Sequence, residues 1–300
     1  MVTPRVSVVI ATYRREGVLC DTVEQVLSED YPDFEVIVVD QTEEHEAETD
    51  RRLGEWSGRI RHIRLDEANL THAENVGIRE ATGEVVLFLD DDVRITRGLI
   101  AAHAANYADE TWAGVAGMVT HDDRPPTDRL PRVCRYSKAG WFLFIHNYRG
   151  RVEVKVAPGG NMSFRRDVLL KVGGIDEGLS ENAIHWEIDL CRRIAAIGGR
   201  VVHDPLARVH HLRHGAGGVR MGRSRPGSFF ENYVRVVWRH VGRHERWVLV
   251  WRLFRDHVVV GSGLCPVAMA VMSWRLLRAL WGVVTSGPAE PRPGLLAGSK

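Results

Sequence analysis

The sequence predicts an α/β fold, a mainly parallel central sheet flanked by helices with a helical extension at its C-terminal end. Over the first 120 residues short apolar runs alternate with amphipathic stretches, the mark of βαβ units. Runs such as Val85-Val86-Leu87-Phe88-Leu89 are continuously apolar, as in strands covered on both faces. Near residue 220 the character changes, and tryptophan, arginine and long uncharged segments follow.

The elements follow in order. Val6–Ala11, Val36–Val39, Ile60–Leu65, Val85–Leu89 and Val115–Val119 are β-rich runs, separated by helical spacing over Glu16–Leu27, Glu43–Trp56, Thr71–Ala81 and Thr96–Tyr107. Pro125-Pro126, Pro131 and several aromatics make 121–148 an irregular excursion over the sheet. A strand-like run, Val152–Val156, leads into Pro158-Gly159-Gly160-Asn161. A short helix from Arg166 then stops at Gly173-Gly174. A helix over Trp186–Ile197 buries Leu190, Ile194 and Ile197 and stops at Gly198-Gly199. Arg200–His203 is strand-sized and opens a histidine-rich segment reaching His214. The expected organisation is one domain over 1–220, a helical, aromatic and basic extension over 221–287, and a loose end over 288–300.

Three hundred residues with 44% hydrophobic and 26% charged content support a sizeable core and exclude collagenous and disordered classes. Forty basic residues against 39 acidic leave no overall field for nucleic acid. Locally the balance is uneven: residues 200–278 carry fourteen arginines against four acids, an excess that an anionic ligand or membrane surface could use. Cys20, Cys134, Cys191 and Cys265 show no C-x-x-C or metal spacing and read as reduced packing thiols. Val6–Ala11 is too short for a signal-peptide core and Arg14-Arg15 follow it, so the expected location is cytoplasmic. Val258–Trp274 has seventeen uncharged residues, at the lower edge of the roughly 20 that span a bilayer, and includes Gly261, Gly263 and Pro266. A hairpin packed on the main domain, an interfacial helix and a true span are all open readings.

Leu89-Asp90-Asp91-Asp92 carries the strongest chemical signal. Three adjacent carboxylates after a buried strand repel one another unless a cation or ligand sits among them, and strand C-termini are where open α/β sheets bind ligands. Hard oxygen ligands suit Mg²⁺ or Mn²⁺, ions that bridge phosphate oxygens, while a solvated acidic turn is the plain alternative. Glu187 and Asp189 form a second acidic cluster. Helix-dipole complementarity would explain it, or a carboxylate that takes a proton from an attacking hydroxyl. Two apart on a helix, they point to different faces, so one at most reaches the chemistry. His211, beside His210, is either a satisfied polar residue or completes a Mn²⁺ shell. The glycines before Arg220 fit a lid that brings this arginine to a diphosphate. A nucleotidyltransferase or dinucleotide dehydrogenase needs a glycine-rich loop after the first strand, and Ala11-Thr12-Tyr13-Arg14-Arg15 has none.

In order and spacing these segments resemble the family 2 glycosyltransferases, inverting enzymes of the GT-A (Rossmann-like) fold that use nucleotide-diphosphate sugars. The matching stretches run from Val6-Ser7-Val8-Val9-Ile10-Ala11-Thr12-Tyr13 through Val38-Val39-Asp40, Asn75-Val76-Gly77 and Phe88-Leu89-Asp90-Asp91-Asp92. They continue through Gly159-Gly160-Asn161-Met162-Ser163, Gly174-Ile175-Asp176 and Glu187-Ile188-Asp189-Leu190 to Asp204-Pro205-Leu206-Ala207-Arg208-Val209-His210-His211. The resemblance implies that Thr12 and Tyr13 line the nucleobase pocket and that Asp40, with Gln41 beside it, holds base or ribose. Asn75, Asp91 and Arg220 fall with the donor-binding set, and Asp90 and Asp92 match the outer members of the D-x-D motif. By the same resemblance Asp90, Asp92 and His211 would hold Mn²⁺ or Mg²⁺, Glu187 would be the catalytic base, and Gly160, Asn161 and Trp186 would border the acceptor and donor-sugar pocket.

The chain also departs from the family. Gln41 replaces a second acid, Glu74 stands where many members have Arg, and Trp186 stands where an acid commonly precedes the base. The implied reaction moves a sugar from a UDP, dTDP or GDP donor to an acceptor hydroxyl, a lipid-linked or surface glycan being the acceptor that a membrane-facing tail would suit. A soluble small-molecule acceptor, or a catalytically silent nucleotide-binding scaffold of the same fold, are the alternatives.

Overall fold

A computed structural model describes residues 3–129, 146–179, 183, 185–218, 226–260 and 265–286. Among these residues nine strands form one mixed sheet. They are β1 (Val6–Thr12), β2 (Phe34–Asp40), β3 (Ile60–Arg64), β4 (Val85–Leu89), β5 (Val93–Ile95), β6 (Trp112–Thr120), β7 (Val152–Val154), β8 (Asn161–Arg165) and β9 (Arg200–His211). Their order is β3-β2-β1-β4-β8-β6-β9-β5, with β7 also paired to β9. The first four are parallel, as crossovers through α1 (Gly17–Leu27), α2 (Ala47–Glu55) and α3 (Leu70–Glu80) require. β8 runs antiparallel between β4 and β6, so the sheet is parallel on one side and mixed on the other.

Apolar clusters cover both faces. Val9, Ile37, Phe88, Met162, Phe164 and Ile188 lie in one, and Val8, Ile10, Leu19, Val38, Leu87 and Val115 in the other. Adjacent residues of one strand thus enter opposite layers, which explains the unbroken apolar runs. Helix α3 sits very close to β1: a Cβ at Gly77 would lie 2.3 Å from the Val9 side chain, so only glycine permits the contact.

The structure departs from the sequence reading at several points. Helix α2 starts at Ala47 rather than Glu43, because the Glu16 carboxylate accepts from the His45 ring (3.1 Å) and the Glu46 amide (3.2 Å) and holds the preceding turn open. The helix expected over Thr96–Tyr107 is α4 (Leu99–Ala105), entered from a left-handed Gly98 and continued by a 3-10 turn over Asn106–Ala108. The short β5 and β8 were not legible in the sequence, and Arg200–His211 is one strand. Between Gly117 and Met118 of β6 its register jumps from Asp204 to Arg208, a bulge that accommodates Pro205. Ile197 is 41% exposed rather than buried, because α6 (Trp186–Ala196) ends one residue earlier and Ile197 leaves the helical face.

The extension comprises α7 (Pro226–His240), α8 (Arg243–Leu253), a π-helical turn over Phe254–Val260 and α9 (Pro266–Ser286). Phe230, Tyr233, Val237, Leu253, Val258 and Leu276 make a third apolar cluster among these helices, while Val236 joins the core beneath the sheet. A packed helical layer therefore forms, and no described helix is long and apolar enough to cross a membrane. Cys20 and Cys191 are buried thiols and Cys265 is exposed, whereas Cys134 lies outside the described residues.

Candidate active site

The site lies where the C-terminal ends of β1 and β4 meet the start of β8 and the end of β9. Asp90 leaves β4, its amide donating to the Gly160 carbonyl at 3.2 Å, and a Cβ at Gly160 would approach Asp90 Oδ2 to 2.1 Å. Glycine at 160 therefore lets the backbone pass directly against that carboxylate. One residue earlier, a Cβ at Gly159 would come 2.7 Å from Glu187 Oε1. A single two-glycine turn thus lies against both Asp90 and Glu187.

Asp92 is buried. Its Oδ2 accepts from the Arg15 guanidinium (3.0 Å) and the His214 amide (2.9 Å), leaving Oδ1 against His211 Nε2 at 3.0 Å. The same Nε2 lies 3.5 Å from Asp90 Oδ2. Burial works against a charge on Asp92, but His211, Arg15 and the His214 amide outweigh it and hold its carboxyl below the ordinary range. Asp90, Asp92 and His211 bring one ligand atom each within 4.8 Å of one another. Two hard carboxylate oxygens and one imidazole nitrogen suit Mn²⁺ or Mg²⁺. The donor set fits the ion.

Asp91 points the other way. Thr12 donates to it at 2.7 Å and Arg15 Nε lies 3.3 Å away, while burial pushes it up to about 7 against both partners. Arg15 is the contributor the sequence reading overlooked: buried, it bridges Asp91 and Asp92 and donates to the His214 carbonyl at 2.9 Å and to that of Ala216. Sequence spacing gave no sign of it, because its partners include Asp92, 77 positions along the chain, and Ala216, 201 positions along it.

The residues assigned by resemblance divide into two groups. Asp90, Asp92, His211, Gly160, Glu187 and the half-buried Tyr13 border the cleft, the Arg14 guanidinium lying 5.1 Å from the Tyr13 ring centre. Others are structural. Asp40 is wholly buried, accepting from Thr42 (2.9 Å), His45 (2.8 Å) and His62 (2.9 Å), so it offers no surface to a base or ribose. Gln41 bridges the Thr12 carbonyl and the Asn69 amide. Asn75 clamps both the amide and the carbonyl of Ile175 at 2.8 Å. Asn161 is spent on His103 and on the carbonyls of Met118 and Ala207. Trp186 packs edge-on to Phe88 at 6.1 Å and anchors α6. Thr12 and Asp91 satisfy each other. Arg220 lies outside the described residues.

Helix α6 is held from behind. Asp189, two residues past Glu187, is buried and bonded by Arg193 (2.8 Å), His240 (2.8 Å) and Arg239. Asp176 takes Arg239 at 2.8 Å and Arg235 at 3.2 Å. Burial opposes a charge on Asp189, but His240, Arg193 and Arg239 overcome it and hold its pKa far below the ordinary value. Through α7 the extension fixes the helix that carries Glu187.

Such a sheet, with a metal-competent acidic corner at its strand ends, defines the GT-A fold, and the solved structures agree. GalNAc-T7 with UDP, GalNAc and Mn²⁺ superposes with a TM-score of 0.66 at 17% identity, covering 96% of this chain and 58% of that one. The S. aureus TarS fragment 1–349 in complex with UDP-GlcNAc gives 0.64 at 16% identity, covering 94% and 81%. These likenesses show the fold. The family model for Glycosyl transferase family 2 matches residues 7–173, more than half of the chain. A glucosyl-dolichyl phosphate glucuronosyltransferase of Haloferax volcanii is 32% identical over 220 residues, 69% of either chain. An uncharacterized glycosyltransferase, YwdF of Bacillus subtilis, is 26% identical over 71% of this chain and 76% of its own. The chain belongs to glycosyl transferase family 2 and is a glycosyltransferase.

Proposed function

We propose that this enzyme transfers a hexose from a nucleotide-diphosphate sugar to an acceptor hydroxyl by a single inverting displacement. The observation that carries this reading is the Gly159-Gly160 turn, whose two α-carbons face Glu187 on one side and Asp90 on the other. A sugar over that turn would have its leaving phosphate toward Asp90, Asp92 and His211 and its attacked face toward Glu187. Mn²⁺ or Mg²⁺ held by those three residues would stabilise the charge that grows on the departing diphosphate. Arg15 fixes Asp92, and half-buried Tyr13 offers the base a stacking face. Glu187, rigidly presented by α6, accepts the proton of the attacking hydroxyl. Donors of the UDP, dTDP and GDP classes fit this scheme equally, and the relative from Haloferax makes a uronate donor the first one to compare.

General-base assistance is worth about 10²- to 10⁴-fold. Glu187→Gln is therefore expected to lose at least about 100-fold in kcat, with Mn²⁺-dependent nucleotide binding intact by calorimetry. Wild-type turnover by that variant rejects the assignment of the base.

The extension supports a second element of the proposal, a cytoplasmic enzyme resting on an anionic membrane surface and serving a lipid-linked or surface glycan. Trp247 and Trp251 of α8 and Val267, Val271, Trp274, Leu277 and Trp281 of α9 are each at least 42% exposed, with Arg278 exposed among them. Tryptophan at headgroup depth with nearby arginine is the chemistry of an interfacial helix. Sedimentation with phosphatidylglycerol vesicles tests it. Binding by the full chain, weakened about tenfold or more in Trp274→Ser/Trp281→Ser, is the expected result; recovery of the wild-type chain entirely in the supernatant favours a soluble small-molecule acceptor.

A further inference from the structure

Arg15 is a cation buried beside a site suited to hold a cation. A fixed positive charge there weakens the binding of a metal ion, so its presence calls for a compensating role. Its contacts supply one. Nη1 donates to the carbonyls of His214 (2.9 Å) and Ala216 and lies 3.2 Å from His214 Nδ1, while Nε lies 3.3 Å from Asp91 Oδ1. A Cβ at Gly218, whose φ is +73°, would come 2.9 Å from Nη2, and the Gly218 amide donates to the Tyr13 carbonyl at 2.7 Å. The segment after β9 is thus tied back to the end of β1 and closes around the guanidinium, which has no room to swing. Nη2 donates to Asp92 Oδ2 at 3.0 Å. The same oxygen accepts the His214 amide at 2.9 Å, so both of its lone pairs are used inside the protein. Only Oδ1 is left to face His211 Nε2, at 3.0 Å.

We infer that Arg15 is a positioning residue that sets which divalent ion the site accepts: by occupying Asp92 Oδ2 it limits that carboxylate to one ligand atom, Oδ1, and so favours Mn²⁺ or Mg²⁺ over Ca²⁺. The inference rests on the metal site proposed above. Asp90, Asp92 and His211 offer one ligand atom each, and three such atoms leave half of an octahedral shell for water or the oxygens of a diphosphate. Ca²⁺ takes about six to eight oxygens and often binds a carboxylate through both, an arrangement that the Arg15 bond forbids at Asp92. Outer-shell partners that orient a ligand are worth about 10- to 100-fold in metal affinity. Lysine would keep the charge but not the fork that grips two carbonyls and a carboxylate at once.

Manganese electron paramagnetic resonance on the full chain tests this, because free and bound Mn²⁺ give distinct signals and Ca²⁺ can be titrated against the bound ion. The wild type is expected to prefer Mn²⁺ by at least about tenfold. Arg15→Met and Arg15→Lys are each expected to narrow that preference by about tenfold, through a gain for Ca²⁺. Removal of the charge alone, in the methionine variant, would strengthen both ions together and leave their ratio where it was. An unchanged ratio in both variants therefore overturns the inference. So does a narrowing without any gain for Ca²⁺, the mark of a site that has only loosened. A wild type that holds Ca²⁺ as tightly as Mn²⁺ overturns it without recourse to either variant. Failure of the wild type to bind Mn²⁺ at all overturns the proposed metal site itself, and with it this inference.

Discussion

Two carboxylate clusters, one at residues 90–92 and one formed by Asp176 and Asp189, have opposite electrostatic characters. At the cleft, the described contacts set Asp90, Asp91 and Asp92 against one guanidinium, Arg15, and one imidazole, His211. Behind α6, Asp176 and Asp189 meet Arg193, Arg235, Arg239 and His240. The first cluster keeps negative potential for a cation, and the second saturates its charges to hold helices together. Glu187 and Asp189 show the difference within one helical turn: both are acids near a helix N-terminus, yet one faces a glycine turn and the other a cage of arginines.

The comparison can be broken at either end. The largest effect is expected from Asp90→Asn, which removes a cleft carboxylate without opening the core: turnover should fall about 10³-fold and the Mn²⁺-dependent rise in Tm should vanish. In the metal-free protein its stability should equal the wild type's or slightly exceed it, as a repelling charge is gone. Loss of folding instead would place Asp90 in the structural class. Next comes Asp189→Asn, which takes from Arg193, Arg239 and His240 the buried charge they share. Breaking one member of a buried pair costs about 3–5 kcal/mol, read by denaturant unfolding. Any loss of activity in that variant should track the loss of folded protein.

The smallest effect sharpens the boundary between the classes by pH. Burial raises the Asp40 pKa, yet His62, Thr42 and His45 outweigh it and bring it from 3.8 down to about 2. A depressed carboxyl pKa stabilises the folded state above the unfolded value and ceases to do so as pH falls through the folded one. Asp40 should therefore contribute about 2 kcal/mol near pH 5 that disappears between about pH 4 and pH 2. Asp40→Asn should flatten that part of the stability curve. An unchanged acid limb would show that the His45 and His62 contacts do not hold the charge in solution.

Much of the fold was legible because strand and helix periodicities are local. Val6–Thr12, Val85–Leu89 and Gly17–Leu27 formed as their apolar spacing required. β8 was not, since five residues after a glycine pair carry little pattern and its strand character comes from lying between β4 and β6. At the site, the acidic triplet could be read from chemistry and spacing, whereas His211 was set beside it only by the family resemblance. The fully buried states of Asp40, Asn75 and Asn161 could not, since their partners arrive from β3, the segment after the Gly173-Gly174 turn, and α4.

The sequence alone determined that carboxylates would stand at the end of a buried strand, because hydrophobic periodicity fixes where β4 ends and Asp90, Asp91 and Asp92 come next. Only the tertiary structure decided which of them face the cleft. Direction and charge depend on partners brought from distant positions: Arg15 turns Asp91 inward, Arg239 removes Asp189 from the chemistry, and Gly160 leaves Asp90 room beside the turn that Glu187 also faces.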